Sequence, residues 1–205
     1  MTLTPIEAFD IAADKGLQKL IEGNQRFVRG EARFPTICKE TLANLAKGQK
    51  PFATILGCSD SRVPPELIFD ANFGELFIVR VAGNVISPEV LGSLHYAAAH
   101  LLTPLFVVLG HEGCGAVKAA LATMLESHQH DSYLQTLVDN ILAGLGELSL
   151  QTSEQERLGR AIEANVRWSM HQILETPDGD KAVKAGAKLV GAVYEIASGH
   201  VRLLS

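Results

Sequence analysis

Two short segments carry the residues of this 205-residue chain that are best suited to chemistry. The first reads Cys58-Ser59-Asp60-Ser61-Arg62, and the second reads His111-Glu112-Gly113-Cys114. Two thiolates and one imidazole are ligands that Zn²⁺ favours, and three strong protein ligands leave the fourth position open, as in catalytic zinc sites. These residue types therefore indicate a site for one zinc ion per chain, held by Cys58, His111 and Cys114.

An apolar run that ends in glycine precedes each of these segments, at 52–57 and at 105–110. Both runs are typical of buried strands. If they are neighbouring parallel strands, both segments emerge at the same carboxyl edge of the sheet, where open α/β folds place their sites. Cys114 is also expected near the amino end of a helix, where the helix dipole favours a thiolate.

Asp60 and Arg62 follow Cys58 at intervals of two and four residues, and they admit two arrangements. Asp60 could occupy the fourth position on the zinc ion. Alternatively, it could pair with Arg62 in a bidentate ion pair, which would keep it ionised and ready to accept a hydrogen bond from zinc-bound hydroxide. The sequence leaves both open. The remaining cysteine, Cys38, is predicted to be a spare thiol.

Apolar strands alternate with helical patterns along the chain, which predicts one α/β domain with a mostly parallel central sheet and flanking helices. An N-terminal helical arm is expected over 1–48 and a zinc-binding α/β core over 49–205. Strands are predicted at 52–56, 76–81 and 105–109, and a C-terminal hairpin of 189–196 and 200–204 adds an antiparallel edge strand. Helices are predicted at 14–29, 41–48, from 63 onward, at 87–101, at 114–126 and over much of 133–175, with loops at 128–131 and 176–180.

Composition narrows the class of protein. The net charge is −5 and lysine and arginine are scattered, so nucleic acid is not an expected partner. No apolar run approaches the roughly 20 residues of a membrane span. Three cysteines form an odd set that argues against a disulfide framework, and the first ten residues lack the basic start of a secretory signal. A cytoplasmic location is therefore expected.

Taken together, the motifs resemble those of the β-class carbonic anhydrases over nearly the whole chain. The segment Cys58-Ser59-Asp60-Ser61-Arg62-Val63-Pro64 is similar to the first motif of that family, and His111-x-x-Cys114-Gly115 to the second. The segments at 23–27, 74–80, 82–84 and 190–194 resemble further family motifs in the same order.

This resemblance implies a function: reversible hydration of CO₂ to bicarbonate and a proton, through attack by zinc-bound hydroxide. It implies that Cys58, His111 and Cys114 bind zinc and that Asp60, which either coordinates the zinc or pairs with Arg62, forms a catalytic dyad with Arg62. A glutamine at the position of Gln49 hydrogen-bonds substrate in plant-type members. The family lines a small apolar pocket for CO₂ at positions that correspond here to Phe77, Ala82, Tyr96 and the backbone of Gly115.

The resemblance also implies an assembly, because family members exchange N-terminal helices to form dimers and often pair further. The amphipathic helix at 14–29 fits such an arm, remote from the core, and predicts a homodimer or a dimer of dimers. Some bacterial members bind an inhibitory bicarbonate with a tryptophan three residues before the first cysteine ligand, together with an arginine and a tyrosine. Ile55 stands at that tryptophan position, so this site is predicted to be absent although Arg80 is present.

Two other functions are alternatives to the hydration of CO₂. A hydrolase of carbonyl sulfide or carbon disulfide could use the same scaffold, but Ser59 and Ser61 are more typical of the enzymes that act on CO₂. A non-catalytic zinc module would need neither Gln49 nor the Asp60–Arg62 pair, so the presence of these residues argues against it.

Overall fold

Five strands form one sheet in the computed structural model, which describes residues 4–33, 38–126, 130, 132–146 and 151–205. The strands are β1 (Ala53–Gly57), β2 (Leu76–Arg80), β3 (Leu105–His111), β4 (Lys188–Tyr194) and β5 (Val201–Leu203). Their order in the sheet is β2-β1-β3-β4-β5. The first four run parallel, and β5 is antiparallel to β4. The structure thus confirms the predicted α/β class and the closing hairpin.

Eight helices surround this sheet in the part of the chain that the structure describes. They are α1 (Pro5–Val28), α2 (Lys39–Leu45), α3 (Pro65–Ile68), α4 (Pro88–Ala99), α5 (Gly115–Glu126), α6 (Ser132–Leu145), α7 (Glu154–Leu174) and α8 (Pro177–Lys184). None of these helices has both the length and the apolar composition needed to cross a membrane.

Alternate side chains of the central strands face two separate apolar clusters. On β3, the side chains of Leu105, Val107 and Leu109 pack in the cluster that includes residues of α1 and α3. Phe106 and Val108 pack instead with residues of α4, α5, α6 and α7. Because helices cover both faces, every residue of β1 and β3 is buried, which explains the continuous apolar runs that predicted these strands.

Helix α1 begins nine residues earlier than the predicted start at residue 14. A capping box explains the difference: Thr4 Oγ1 accepts a hydrogen bond from the Glu7 amide, and Glu7 Oε2 accepts one from the Thr4 amide at 2.8 Å. Pro5 then occupies the first turn, where its missing N–H costs nothing.

The same helix packs on the sheet of its own chain, which corrects the expectation that it lies remote from the core. Small residues allow this close approach. A Cβ at Gly23 would overlap the carbonyl oxygen of Phe69, and one at Gly16 would lie 3.2 Å from the carbonyl oxygen of Phe52. Leu20 is buried between them. By contrast, α2 has no buried residue. Within segment 1–48, α2 is therefore the helix that matches the predicted arm.

Asn24 joins α1 to two other parts of the fold. Its side-chain amide donates to the carbonyl oxygens of Ile68 and Gly199, at 3.2 and 2.8 Å, and its Oδ1 accepts from the Val201 amide at 2.9 Å. A buried amide with three hydrogen bonds fixes the relative position of α1, α3 and the C-terminal hairpin.

The predicted loop at 176–180 is wrong, because the chain there begins α8. The Pro-Asp-Gly-Asp sequence has turn-forming composition, but Thr176 caps a helix: its Oγ1 accepts from the Gly179 amide at 3.0 Å, and Pro177 opens the first turn. The helical pattern at 133–175 resolves into α6 and α7. The predicted loop at 128–131 lies outside the described residues except for His130, which is not helical.

A buried carboxylate anchors the end of α1. The Asp70 side chain, 4% exposed, accepts hydrogen bonds from Arg26 Nε at 2.6 Å, Arg33 Nε at 2.9 Å and the Arg33 amide at 2.8 Å. Burial opposes ionisation of this group, but the hydrogen bonds from Arg26 and Arg33 outweigh burial and hold the pKa of Asp70 below its ordinary value.

Replacement of this carboxylate, Asp70→Asn, is expected to lower the free energy of unfolding by about 1–3 kcal/mol at neutral pH, because the two arginines lose a charged acceptor. A lowered pKa stabilises the fold above the ordinary carboxyl pKa of about 4, and that stabilisation is lost as the pH falls through the folded-state pKa. Urea denaturation at neutral and acidic pH should therefore show a difference that shrinks in acid. The control Glu31→Gln breaks an exposed pair with Arg29 and should change stability by less than about 0.5 kcal/mol. Equal stability of Asp70→Asn and wild type at neutral pH would contradict the prediction.

Candidate metal centre

Two neighbouring parallel strands deliver the three predicted zinc ligands to one edge of the sheet. Cys58 directly follows β1, His111 is the last residue of β3, and Cys114 directly precedes α5. In the register of these strands Gly57 is opposite Leu109, so the residues that follow emerge side by side. This is the carboxyl edge at which the sequence predicted that they would meet.

The ligand atoms of Cys58, His111 and Cys114 all lie within 4.8 Å of one another. Their exposed fractions are 5%, 0% and 1%. Such a triangle is compact enough for a single ion bound at about 2.0–2.3 Å from sulfur and nitrogen ligands. It is the only group of this kind that the described residues form.

The histidine of this triangle offers one free nitrogen. His111 Nδ1 lies 2.9 Å from the carbonyl oxygen of Glu112, so we assign the ring proton to Nδ1 and a lone pair to Nε2. Nε2 is buried and has no hydrogen-bond partner in the described part of the chain. A buried nitrogen without a partner is costly, and a metal ion would satisfy it, since a ligand histidine usually donates its second nitrogen to a carbonyl. The residues present therefore fit a metal ion.

The two cysteines of the triangle are free thiols whose sulfur atoms lie within 4.8 Å of each other. The interaction with Cys114 lowers the pKa of Cys58, against the opposing effect of burial. The interaction with Cys58, together with burial, raises the pKa of Cys114. The pair therefore gives up its first proton easily and keeps its second, so a metal ion that binds both sulfur atoms as thiolates must displace a proton.

Asp60 and Arg62 form a bidentate ion pair beside this triangle. Arg62 Nε donates to Asp60 Oδ1 at 2.9 Å, and Arg62 Nη2 donates to Oδ2 at 2.7 Å. Hydrogen bonds from Arg62 hold the pKa of Asp60 well below its usual range. Asp60 Oδ2 also lies 3.9 Å from His111 Nε2. Of the two arrangements that the sequence left open, this structure has the carboxylate paired with Arg62.

Arg80 supports the loop that carries these groups. Its Nε donates to the carbonyl oxygen of Cys58 at 2.9 Å, and its Nη2 donates to that of Asp60 at 2.6 Å. Ile55, which stands where some family members carry tryptophan, is fully buried within β1. The absence of an inhibitory bicarbonate site remains a prediction, and the engagement of Arg80 with two carbonyls is compatible with it.

Of the five predicted substrate-pocket residues, the structure shows a contact between two, Phe77 and Tyr96. The rings of Phe77 and Tyr96 lie 6.1 Å apart between centroids, and Tyr96 is 45% exposed in the single chain. Ala82 begins a 3₁₀ turn after β2, and Gly115 directly follows the predicted ligand Cys114. Gln49 lies in the exposed segment that leads into β1. Their contacts with substrate remain predictions.

An apolar cavity of about 380 Å³ lies away from these groups, between α4 and α8. Its walls include Leu91, Leu94, Phe106 and Leu189, and none of the predicted site residues lines it. The chemistry of the ligand triangle, rather than cavity size, therefore locates the candidate site.

Sequence reasoning missed Asn165 and Ser169, and it placed Gly83 in the motif-like segment 82–84 without foreseeing its contact with Cys58. The amide of Gly83 donates to Cys58 Sγ at 3.3 Å. Asn165 Nδ2 donates to the Gly83 carbonyl oxygen at 2.8 Å, and Ser169 Oγ donates to the Asn84 carbonyl oxygen at 2.9 Å. The available signal was the presence of two polar residues, four positions apart, on the apolar face of α7.

Comparison with known proteins identifies the family. A carbonic anhydrase family model matches residues 53–201. The chain is 39% identical to carbonic anhydrase 2 of Mycobacterium tuberculosis over 198 residues, which cover 94% of this chain and 92% of that protein. It is 36% identical to a carbonic anhydrase of Mycolicibacterium smegmatis over 200 residues, covering 95% and 93% of the two chains.

Solved structures agree with the sequence relatives. A tetrameric β-carbonic anhydrase of Sordaria macrospora aligns with a TM-score of 0.75 at 26% identity, covering 93% of this chain and 98% of that one. A Coccomyxa β-carbonic anhydrase, solved with acetazolamide, aligns with a TM-score of 0.71 at 26% identity, covering 92% and 86%. With its Cys-His-Cys triangle at the carboxyl edge of a mostly parallel sheet, this chain belongs to the β-carbonic anhydrase family and is a carbonic anhydrase.

Proposed function

We propose that this protein catalyses the zinc-dependent, reversible hydration of CO₂ to bicarbonate and a proton. One observation carries the proposal: the buried triangle of Cys58, His111 and Cys114 lies beside a carboxylate that Arg62 holds in place, with Asp60 Oδ2 3.9 Å from His111 Nε2. A module that only stored zinc would gain nothing from an ionised acceptor held at that point.

The metal that suits this donor set is zinc, because two thiolates and one imidazole are among its preferred ligands. Cys58, His111 Nε2 and Cys114 would hold one ion per chain. When bound, zinc lowers the pKa of a coordinated water to near 7 and so supplies a nucleophile close to neutral pH.

Asp60 acts as a hydrogen-bond acceptor that orients the nucleophile. Its pKa is held well below the usual range by Arg62, so the carboxylate stays ionised at neutral pH and is a poor proton carrier there. The bidentate pair also fixes the direction of its lone pairs. The proton released in each turnover therefore leaves through a group other than Asp60.

The substrate side of the site is assigned to Phe77, Ala82, Tyr96, the Gly115 backbone and Gln49. CO₂ is small and apolar and accepts only weak hydrogen bonds, so an apolar wall with few donors suits it. The contact between the Phe77 and Tyr96 rings supports such a wall. Gln49 and the amide of Gly115 would supply the donors.

A second copy of the chain would complete this wall, and we infer a homodimer or a dimer of dimers. Strand β2 pairs only with β1, so its outer edge has no partner strand in the described part of the chain. Phe73 and Tyr96 are 62% and 45% exposed, and Leu42 of α2 is 51% exposed. The related enzymes of Sordaria macrospora are tetrameric.

The cytoplasmic location expected from the sequence stays a prediction. The three cysteines are all free thiols, which suits a reducing compartment.

The metal content of the protein tests the three proposed ligands. Purified wild-type protein should contain one zinc ion per chain, and Cys58→Ser should lose it, because a hydroxyl is a poor replacement for a thiolate ligand. Cys38→Ser is a matched control: it makes the same change at an exposed, free thiol and should keep the zinc. Metal analysis of the three proteins provides the measurement, and full zinc content in Cys58→Ser would overturn the ligand assignment.

Turnover of CO₂ tests the proposed reaction. Stopped-flow hydration of CO₂ by zinc-quantified protein should show turnover, and Asp60→Asn should keep zinc but lose activity by about 10²–10⁴-fold, because the amide cannot replace the ionised acceptor. Since the pKa of Asp60 lies well below its usual range, any change in wild-type activity between about pH 6 and about pH 9 comes from another group. Asp178→Asn, which alters an exposed partner of His95, should retain wild-type activity.

Substrate comparison separates the alternatives. Zinc-loaded wild type that hydrolyses carbonyl sulfide or carbon disulfide but not CO₂ would replace the proposed reaction with that of a sulfur-substrate hydrolase. Zinc-loaded protein inactive on all three substrates would indicate a non-catalytic module. Turnover by Asp60→Asn at the wild-type rate would remove the dyad from the mechanism.

The mass of the protein in solution tests the inferred assembly. Sedimentation at micromolar concentration should give a mass two or four times that of the chain, because the exposed apolar residues and the open strand edge need a partner. A single species near 22.0 kDa would contradict the inferred homodimer or dimer of dimers.

A further inference from the structure

We propose that Asn165 and Ser169 of α7 are positioning residues for the metal centre, which they serve by holding the amide of Gly83 against the Cys58 sulfur. The inference rests on the proposed metal site, since it assigns Cys58 as a ligand. It adds a third layer to that site: α7 holds the 82–84 turn, the turn donates to the thiolate, and the thiolate binds the metal.

The hydrogen bond from Gly83 to Cys58 has a direct chemical consequence. The amide nitrogen lies 3.3 Å from Sγ, and both residues are buried. An N–H that points at a thiolate stabilises the sulfur lone pair and weakens its donation to a metal. Zinc held by such a thiolate would be a stronger Lewis acid than zinc held by a thiolate without this bond.

The turn that supplies this amide adopts a backbone conformation that needs support. Gly83 has φ 67° and Asn84 has φ 45°, so two consecutive residues lie in the left-handed region. Asparagine tolerates that region better than most residues, but the conformation still costs free energy and persists only where its surroundings fix it. There is also no room for a side chain: a Cβ at Gly83 would lie 2.9 Å from Ile141 Cδ1 and 3.0 Å from Ala116 Cβ.

Asn165 and Ser169 supply that support from a distant part of the sequence. Asn165 donates to the Gly83 carbonyl at 2.8 Å across 82 residues, and Ser169 donates to the Asn84 carbonyl at 2.9 Å across 85 residues. Their exposed fractions are 1% and 0%. These two bonds orient the two peptide groups that directly follow the donor amide.

Stability alone does not account for polar residues at these positions. The face of α7 that buries Asn165 and Ser169 otherwise presents Ala161, Ile162 and Val166 to the core. Burial of an amide and a hydroxyl there costs free energy that their hydrogen bonds recover only in part, because Asn165 Oδ1 has no hydrogen-bond partner among the described residues. Well-packed apolar residues would avoid this cost. Both side chains donate to the turn that faces Cys58, which favours a role in orienting that turn.

Asn140 of α6 provides a matched comparison. Its Nδ2 donates to the carbonyl oxygen of Ile86 at 2.6 Å, so it makes the same kind of bond to the same connection between β2 and α4. That carbonyl lies beyond the turn, and it does not adjoin the amide that faces Cys58. Loss of the Asn140 bond should therefore loosen the connection without changing the thiolate.

The experiment uses the full chain loaded with Co²⁺, whose thiolate-to-metal charge-transfer absorption reports how strongly the sulfur ligands donate. Ser169→Ala and Asn165→Leu should bind one Co²⁺ per chain and shift this band to longer wavelength, because the thiolate loses an oriented hydrogen bond. Zinc affinity, measured by competition with a chelator, should fall by about 10-fold in both variants, because the loss of a sulfur atom held in its ligating position outweighs the gain in its donor strength. Asn140→Leu should leave the band in place and zinc affinity within about twofold of wild type.

The cobalt spectra test the positioning role of Asn165 and Ser169 separately from the metal site. Wild-type band positions in Ser169→Ala and in folded Asn165→Leu would overturn the positioning role, and so would an equal shift in Asn140→Leu. If Asn165→Leu does not fold, Ser169→Ala decides alone, since it removes a single hydroxyl. Absence of any thiolate–cobalt band in the wild type would overturn the metal site itself, and the inference with it. Activity on CO₂ does not enter this test, so failure of the proposed reaction would be seen separately.

Discussion

The parallel pairing of β1 with β3 is the constraint on which the rest of this structure depends. Cys58 and His111 are 53 positions apart in sequence, and Cys114 follows in the turn after His111; only the shared carboxyl edge of two neighbouring strands brings them into one buried triangle. The register of these strands is in turn secured by apolar side chains packed on both faces of the sheet. A slip of one residue would reverse the faces and separate the ligands.

Negative charge on two buried sulfur atoms is costly, and neighbouring groups stabilise it. The Gly83 amide donates to the Cys58 sulfur, and Arg80 donates to the carbonyls of Cys58 and Asp60. The positive charge of Arg62 balances the negative charge of the Asp60 carboxylate. The carboxylate therefore adds no net negative charge beside the two sulfur atoms. The candidate site thus combines a soft donor set with a fixed, ionised acceptor, an arrangement that suits the proposed activation of a water molecule.

Most of the sheet and the three candidate ligands could be predicted from sequence, because each depends on residues that are close together in the chain. Apolar runs predicted the parallel strands, and the cysteine and histidine residues that end or follow two of them indicated the candidate metal centre. Contacts between distant segments could not be read in this way. The approach of Gly23 to Phe69 places α1 on its own sheet, and the bonds from Asn165 and Ser169 cross more than 80 residues. At 176–180 the composition favoured a turn, whereas the Thr176 cap and Pro177 begin a helix there.

X-ray absorption at the zinc edge of the purified protein counts the ligand atoms around the metal ion without reference to activity. If Cys58, His111 and Cys114 hold the ion, the spectrum will show two sulfur ligands at about 2.3 Å, one nitrogen at about 2.0 Å and one further light atom. A shell of four nitrogen and oxygen atoms, or one with a single sulfur, would show that β1 and β3 do not build the proposed site and would contradict the account.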